Sequence, residues 1–247
     1  MGAHFNVVLD NLSYLLLGAY PGGPLGGAAL TLVMSLVAGA LSLVAGTVLG
    51  VLTVTAWLPL RWLLRAVLGF LRVIPPLLVI FWLYFLIPVL LGADVPQTAA
   101  AVGALALLSS AYIANSTRAG VLSIASGQWQ AGLSIGLTRV QTLRWVILPQ
   151  ALRLMTPSFV NQFIALIKDT SLAYVIGVSE LTYVASQVNN RTLMYPAGIF
   201  LFVALVYFVF CLGLSVGAEA LMGRFATDAG GRPGNVTAKV PESALQG

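Results

Sequence analysis

From Gly26 to Trp57, and again from Tyr195 to Ala218, this chain carries no charged side chain. Crossing a hydrocarbon core of about 30 Å takes about 20 consecutive apolar helical residues, and both runs are long enough. Inside lipid every backbone N–H and C=O must be satisfied by the protein itself, a demand that a helix meets segment by segment. Over the whole chain 59% of residues are apolar and 8% charged, against roughly 25% charged in soluble domains. The composition excludes an ordinary soluble enzyme and predicts an all-α integral membrane protein.

Charge-free windows predict about five spans, at 26–57, 71–91, 98–116, 157–176 and 195–218. Gly39, Gly46 and Gly50 recur along the first, where small residues let a neighbouring helix approach closely. Pro75 and Pro76 suit the first turn of the second span rather than its interior. The fourth span is the least apolar and holds Lys168 and Asp169. Arg61, Arg65 and Arg72 fall in one interhelical region. Arg118, Arg139, Arg144 and Arg153 fall in another, and Arg224, Arg232 and Lys239 follow the last span. With an odd number of spans all of these share one side, and Arg191 alone lies in a loop opposite. Positive residues favour the cytoplasm, so the N-terminus is expected outside and the C-terminus inside.

The net charge of +5 is spread between apolar runs, which argues against a nucleic-acid partner. Cys211 is the single cysteine, so no intrachain disulfide forms, and the only histidine, His4, lies outside the spans. No basic residue precedes Asp10, which speaks against a cleavable signal peptide. Residues 1–25 are expected as a periplasmic N-terminal segment. Residues 223–247, rich in Gly, Pro and small polar side chains, are expected as a disordered cytoplasmic tail.

Between Gly127 and Pro149 the chain turns polar, with Arg139 and Arg144 inside the stretch. At helical spacing Trp129, Leu133, Gly136 and Leu137 share a face. Gly127 serves as a helix boundary, and Gly136 with Thr138 can end one short helix and begin another. Leu143, Val146 and Ile147 form a second apolar stripe that ends at Pro149. Two short helices joined at a glycine could dock as a rigid knob into a partner's groove; an amphipathic helix lying on the membrane surface is the other reading.

This segment resembles the EAA loop of ABC-importer permeases, whose pattern is E-A-A, three residues, Gly, and later I-x-L-P. The matching positions here are Gln130, Ala131 and Gly132, then Gly136, then Ile147, Leu148 and Pro149. Other blocks resemble the polar amino-acid (His/Glu/Gln/Arg/opine) branch of that family. These are R-V-I-P at Arg72 to Pro75, P-Q-A-L-R at Pro149 to Arg153, and N-Q-F from Asn161. K-D-T-S-L at Lys168 to Leu172 and V-I-G-V-S-E-L at Val175 to Leu181 complete the set. The resemblance covers residues 26–222 as one permease domain. It implies a type I ABC importer permease fold whose coupling segment, 127–149, contacts a cytoplasmic ATPase dimer through Gly127, Gln130, Ala131, Gly132, Gly136, Leu148 and Pro149. It further implies an external solute-binding protein, a second permease copy or paralogue, and a multi-pass location in the bacterial cytoplasmic membrane among membrane lipid. Two positions depart from the pattern. Gln130 replaces the usual Glu and loses its charge, and Gly132 replaces Ala, which weakens a helix by up to about 1 kcal/mol.

No G-x-x-x-x-G-K-[ST] loop occurs in the chain, so it has no such cradle for nucleotide. The expectation is a non-enzyme that binds no cofactor, with ATP used by the partner ATPase. An ion-driven transporter or channel working without an ATPase is the alternative.

On a helical wheel the fourth span places Ser158, Asn161, Gln162, Ala165, Lys168 and Asp169 within a sector of about 120°. Phe159, Val160, Phe163, Ile164, Leu166 and Ile167 take the rest. Ionisable residues within spans usually face a bundle interior or a wet path. Ser158, Asn161, Gln162, Lys168 and Asp169 are therefore candidates for a translocation route, with the ammonium and carboxylate attending a zwitterionic amino acid. Pairing with other helices, or snorkelling of Lys168 at the outer interface, is the other reading of the two charges. Arg72 is an anchor or a gate residue. Glu180 and Arg191 bracket an external loop, either as a docking place for a binding protein or as solvated charges. The R-V-I-P-P-L-L and F-W-L-Y-F run leans toward glutamate/aspartate permeases of the branch.

Overall fold

The computed structural model describes residues 2–92, 94–192 and 196–228, and helices make up its regular elements. Two short helices, α1 (Gly2–Asp10) and α2 (Leu12–Leu17), lead into the long apolar α3 (Gly27–Thr55). An amphipathic helix, α4 (Leu58–Val73), follows. The next stretch is α5 (Pro76–Phe81), a π-turn (Trp82–Leu86) and α6 (Ile87–Leu91). Then come α7 (Gln97–Ser123), α8 (Ser126–Ser134), α9 (Arg139–Thr142), a second π-turn (Leu143–Ile147) and α10 (Leu148–Asp169). A 3-10 segment (Thr170–Ile176), α11 (Leu181–Thr192) and α12 (Pro196–Asp228) complete the fold.

Among the described residues, three helices are long and apolar enough to cross a membrane: α3, α7 and residues Pro196–Ala220 of α12. Helix α4 and the helix from Pro76 meet at 106° and together make at most a fourth such span. Helix α10, the core of the predicted fourth span, is 22 residues long, about 33 Å at 1.5 Å per residue. Its length suffices to span, and its polar face is what separates it from the other three.

Several predicted boundaries move. The second span does not begin at Leu71, because the chain breaks at Ile74 and Pro75 and the next helix starts at Pro76. A residue before proline is pushed out of the helical region, and two successive prolines do this twice. The third span runs on to Ser123 rather than Ser116. The fourth begins not at Pro157 but at Leu148; Pro149 sits in its first turn and Pro157 lies inside the helix. Pro149 therefore opens a long helix where the sequence reading had it close a short one. The tail expected from residue 223 is helical as far as Asp228, and the rest of that expectation, 229–247, lies outside the described residues.

Both π-turns end two residues before a proline, Pro88 and Pro149. A proline ring collides with the carbonyl four residues back and offers it no N–H. Those carbonyls belong to Tyr84 and Trp145, each inside a π-turn, where bonds from Ile87 N–H to the Trp82 carbonyl and from Leu148 N–H to the Leu143 carbonyl widen the helix. The widening is how each helix continues through its proline.

The small residues of the first span do what their spacing predicts. A Cβ on Gly46 would lie 2.7 Å from Ile113 Cβ, and one on Gly50 2.5 Å from Thr117 Cβ, so α3 and α7 touch nearly backbone to backbone. Gly39 faces the ring of Phe163 on α10. The buried hydroxyls of α3 are satisfied within the helix: Ser35 donates to the Thr31 carbonyl at 2.6 Å and Thr53 to the Gly50 carbonyl at 2.6 Å. This internal bonding is what lipid requires. Among the described residues four apolar clusters result; the smallest sets Leu68 and Leu71 of α4 against Ala111 and Ala114 of α7 and Leu49 of α3. Of the others, one joins α3, α5, α7 and α10; a second joins α1, α2, α11 and α12; a third joins α7, the second π-turn and α10.

Candidate functional site

The polar segment folds as two short helices at one end of the bundle. Helix α8 follows directly from the end of α7; its cap is Ala125, so Gly127 lies in its first turn rather than at its boundary. Gly136, at φ +87°, turns the chain after α8, a left-handed conformation that glycine adopts without penalty. Thr138 and Gln141 then form a capping box around the start of α9, with Thr138 N–H donating to Gln141 Oε1 at 2.8 Å. The T-x-x-Q spacing is a sequence-level signature of a helix start.

The knob has a root and a tip. Trp129, Leu143, Val146, Ile147 and Leu148 pack into the cluster formed by α7 and α10. Gln150 on α10 donates to the Val146 carbonyl at 2.7 Å. Gly132 is buried, and a Cβ there would meet Thr142 Cγ2 at 2.5 Å and Oγ1 at 2.8 Å. The departure from the E-A-A pattern at this position is thus the close contact that lets α8 lie on α9. At the tip, Gln130 and Ala131 are exposed, together with Ile135 (77%), Val140 (73%) and Trp145 (66%). Arg144 stacks over the Trp145 ring at 5.1 Å. Pro149 is exposed and Leu148 half-buried, both on α10 rather than on the knob itself. Ile135, Val140 and Trp145 were missed in the sequence, where apolar residues in a short helix read as packing.

The candidate path residues divide into two groups. Gln162 and Asp169 line a cleft of ≈290 Å³ between α10 and α7, closed by Tyr112, Ser109 and the Ile74–Pro76 break. Gln162 Nε2 donates to Ser109 Oγ at 3.3 Å, and the Tyr112 hydroxyl donates to the Arg72 carbonyl at 3.1 Å. Ser158, Asn161 and Lys168 do not line this cleft; their side chains are exposed on the surface of the single chain. The cleft contains no basic side chain.

Glu180 is neither a docking charge nor a solvated one: its exposure is 0%. It caps α11, accepting from Thr182 N–H at 2.9 Å, Tyr183 N–H at 2.8 Å and the Tyr207 hydroxyl at 2.9 Å. Next to it, Gly27 N–H donates to the Ser179 carbonyl and Leu181 N–H to Thr31 Oγ1. The supposed loop from Glu180 to Arg191 is largely α11, with Leu181, Val184, Ala185 and Val188 buried. A carboxylate before an apolar i, i+3, i+4 pattern is a helix-start signal, and it could have exposed this role.

Comparison with known proteins follows the same outline. Residues 42–226 match the family described as "Binding-protein-dependent transport system inner membrane component". The chain is 36% identical over 216 residues to the probable glutamine ABC transporter permease protein GlnM of Bacillus subtilis, covering 87% of this chain and 95% of that one. It is 33% identical over 210 residues to the glutamate/aspartate import permease protein GltK of Escherichia coli O6:H1, covering 82% and 93%. Among solved structures, the crystal structure of an amino acid ABC transporter with histidines superposes with a TM-score of 0.73 at 29% identity, over 80% of this chain and 92% of that one. With its apolar spans and helical knob, the chain belongs to the family of binding-protein-dependent transport system inner membrane components, the integral, multi-pass permease subunits of ABC transporters, which are not themselves enzymes.

Proposed function

We propose that this chain is the permease subunit of an ATP-driven importer of polar amino acids, moving substrate across the cytoplasmic membrane by alternating access. The observation that carries the reading is the knob: a capped helix pair rooted in the bundle, with Ile135, Val140 and Trp145 turned outward. Apolar side chains at a polar tip suit insertion into a groove of a soluble partner. The positive-inside distribution supports a cytoplasmic tip, where an ATPase dimer would drive it, while a solute-binding protein would deliver substrate on the other face.

A second permease copy completes the route. Ser158, Asn161 and Lys168 form an exposed polar stripe on a helix that otherwise belongs to the bundle. Ionisable residues within spans usually face a bundle interior or a wet path rather than lipid, so a partner helix covering the stripe is favoured. In the cleft, Asp169 would attend the ammonium group shared by all amino acids. The R-V-I-P-P-L-L run leans toward glutamate/aspartate, whereas the cleft offers no basic side chain for a second carboxylate. The substrate class is therefore a polar amino acid, and competition among labelled glutamate, aspartate and glutamine ranks them.

The decisive measurement is uptake in vesicles containing the chain with its copurified ATPase. Uptake should require ATP hydrolysis; uptake by this chain alone on an ion gradient would overturn the reading. Asp169→Asn and Lys168→Met should each lower uptake at least about tenfold if each removes a contact to a charged group. Near-normal transport in both assembled variants would remove the path assignment while leaving the coupling reading intact.

A further inference from the structure

Helix α4 is amphipathic in an inverted sense. Arg61, Arg65, Leu68 and Arg72 recur at helical spacing, with Leu68 buried and the arginines partly so, while Trp62, Leu63, Val67, Phe70 and Val73 are exposed. The polar face turns inward to α3 and α7, and the apolar face turns out. A helix lying in a membrane interface places its apolar side against acyl chains.

Behind this helix is a cleft of ≈170 Å³ lined by Arg65 and Arg72 of α4, Arg118 and Asn115 of α7, and Thr53 of α3. At about 30 Å³ per liquid water, it has room for a phosphate group and a few waters. Arg65 Nη2 donates to the Thr53 carbonyl at 3.2 Å. The Nε atoms of Arg65 and Arg118 are buried without a hydrogen-bond partner, as is that of Arg61 nearby. The guanidinium groups of Arg65, Arg72 and Arg118 thus converge; Arg72 Nε donates to the Leu68 carbonyl at 3.4 Å, whereas Nε of Arg65 and of Arg118 is unused, and leaving buried donors unmet is costly.

Among the described residues, no carboxylate lines this cleft. Between Asn11 and Lys168 its only carboxylate is Asp94, which precedes α7 at the end opposite Arg118. An anion from outside the chain would meet these donors, and planar guanidinium forks match phosphate oxygens. Basic pockets between helices at the membrane surface are suited to anionic headgroups, and the outward apolar face of α4 would lie beside the acyl chains of such a lipid. We propose that Arg65, Arg72 and Arg118 bind the phosphate of an anionic phospholipid headgroup, fixing α4 against α3 and α7. The site is separate from the Gln162–Asp169 cleft and from the knob, and it stands whatever the transported substrate is.

Native mass spectrometry of the full-length chain, reconstituted with phosphatidylglycerol or with phosphatidylcholine, tests this. The wild-type chain should retain phosphatidylglycerol in preference, and the R65Q/R118Q double variant should retain about tenfold less, the scale of losing a charge-assisted contact. The exposed-arginine control R139Q/R153Q, which likewise removes two positive charges, should match wild type. R118K keeps the charge but not the fork; should the double variant fail to fold, reduced retention in R118K carries the test. Equal retention of the two lipids, or undiminished phosphatidylglycerol in the variants, would overturn the proposal. So would thermal stabilisation by inorganic phosphate in detergent with no lipid retained, which would make the ligand a free anion. Loss of the copurifying ATPase in R65Q/R118Q with lipid retention unchanged would assign the arginines to a protein contact instead.

Discussion

Glu180 shows what a single residue does in this fold. Its carboxylate accepts two backbone N–H groups at the start of α11 and the Tyr207 hydroxyl of α12, so one side chain joins two helices where Gly27 of α3 also meets Ser179. Glu180→Ala would leave these donors buried and unmet, at about 1–3 kcal/mol for such a group. The expected result is a total loss of about 3 kcal/mol or more, read as a lowered Tm of the detergent-solubilised chain, with Glu180→Gln milder because one oxygen still accepts. A Tm unchanged in Glu180→Ala would contradict the capping role. In the sequence, a lone acid between apolar runs has the same appearance whether solvated or buried. What distinguishes them is Tyr207, which is distant in sequence and adjacent only after folding.

Elements meet here through glycines placed where another backbone must come close. Gly46 and Gly50 were legible as an interface because they recur along one helix face, and α7 is the neighbour that uses them. Gly132 was read as a weak point of a docking helix, and its contact with Thr142 reverses that meaning. Gly132→Val should push α8 off α9 at a cost of about 1–3 kcal/mol of overpacking. ATP-dependent uptake is expected to drop while the Tm set by the α3–α7 core changes little. A variant with normal uptake would show that the seating of α8 on α9 does not matter for coupling. The two π-turns were not read from sequence, although each proline that causes one was visible; that a helix continues through the proline rather than stopping depends on packing on both sides of it.

At the scale of the whole molecule, the proposed function assigns one end to coupling and the other to the outside. The knob, the α4 arginines and the C-terminal end of α3 lie together at one end, as shown by α8 following α7 and by Arg65 reaching the Thr53 carbonyl. In the proposed orientation this end is cytoplasmic. A green fluorescent protein fused after Gly247 should fluoresce, and an alkaline phosphatase fused there should be inactive; the opposite pair of results would invert the orientation and remove the ATPase from the knob.

The membrane class, the principal spans, the glycine interface and the family followed from the sequence, because apolar length, charge placement and local motifs are properties of short stretches of chain. The direction of each side chain on α10 was decided only by the tertiary structure. Gln162 and Asp169 turn to α7, while Lys168 points elsewhere, since a helical wheel orders residues by angle but does not say which angle meets a neighbour. The burial of Glu180 and the gathering of Arg65, Arg72 and Arg118 were likewise decided by helices brought together from distant parts of the chain. Solvation, pairing and the need for an outside anion are properties of that assembled environment, and no local stretch contains it.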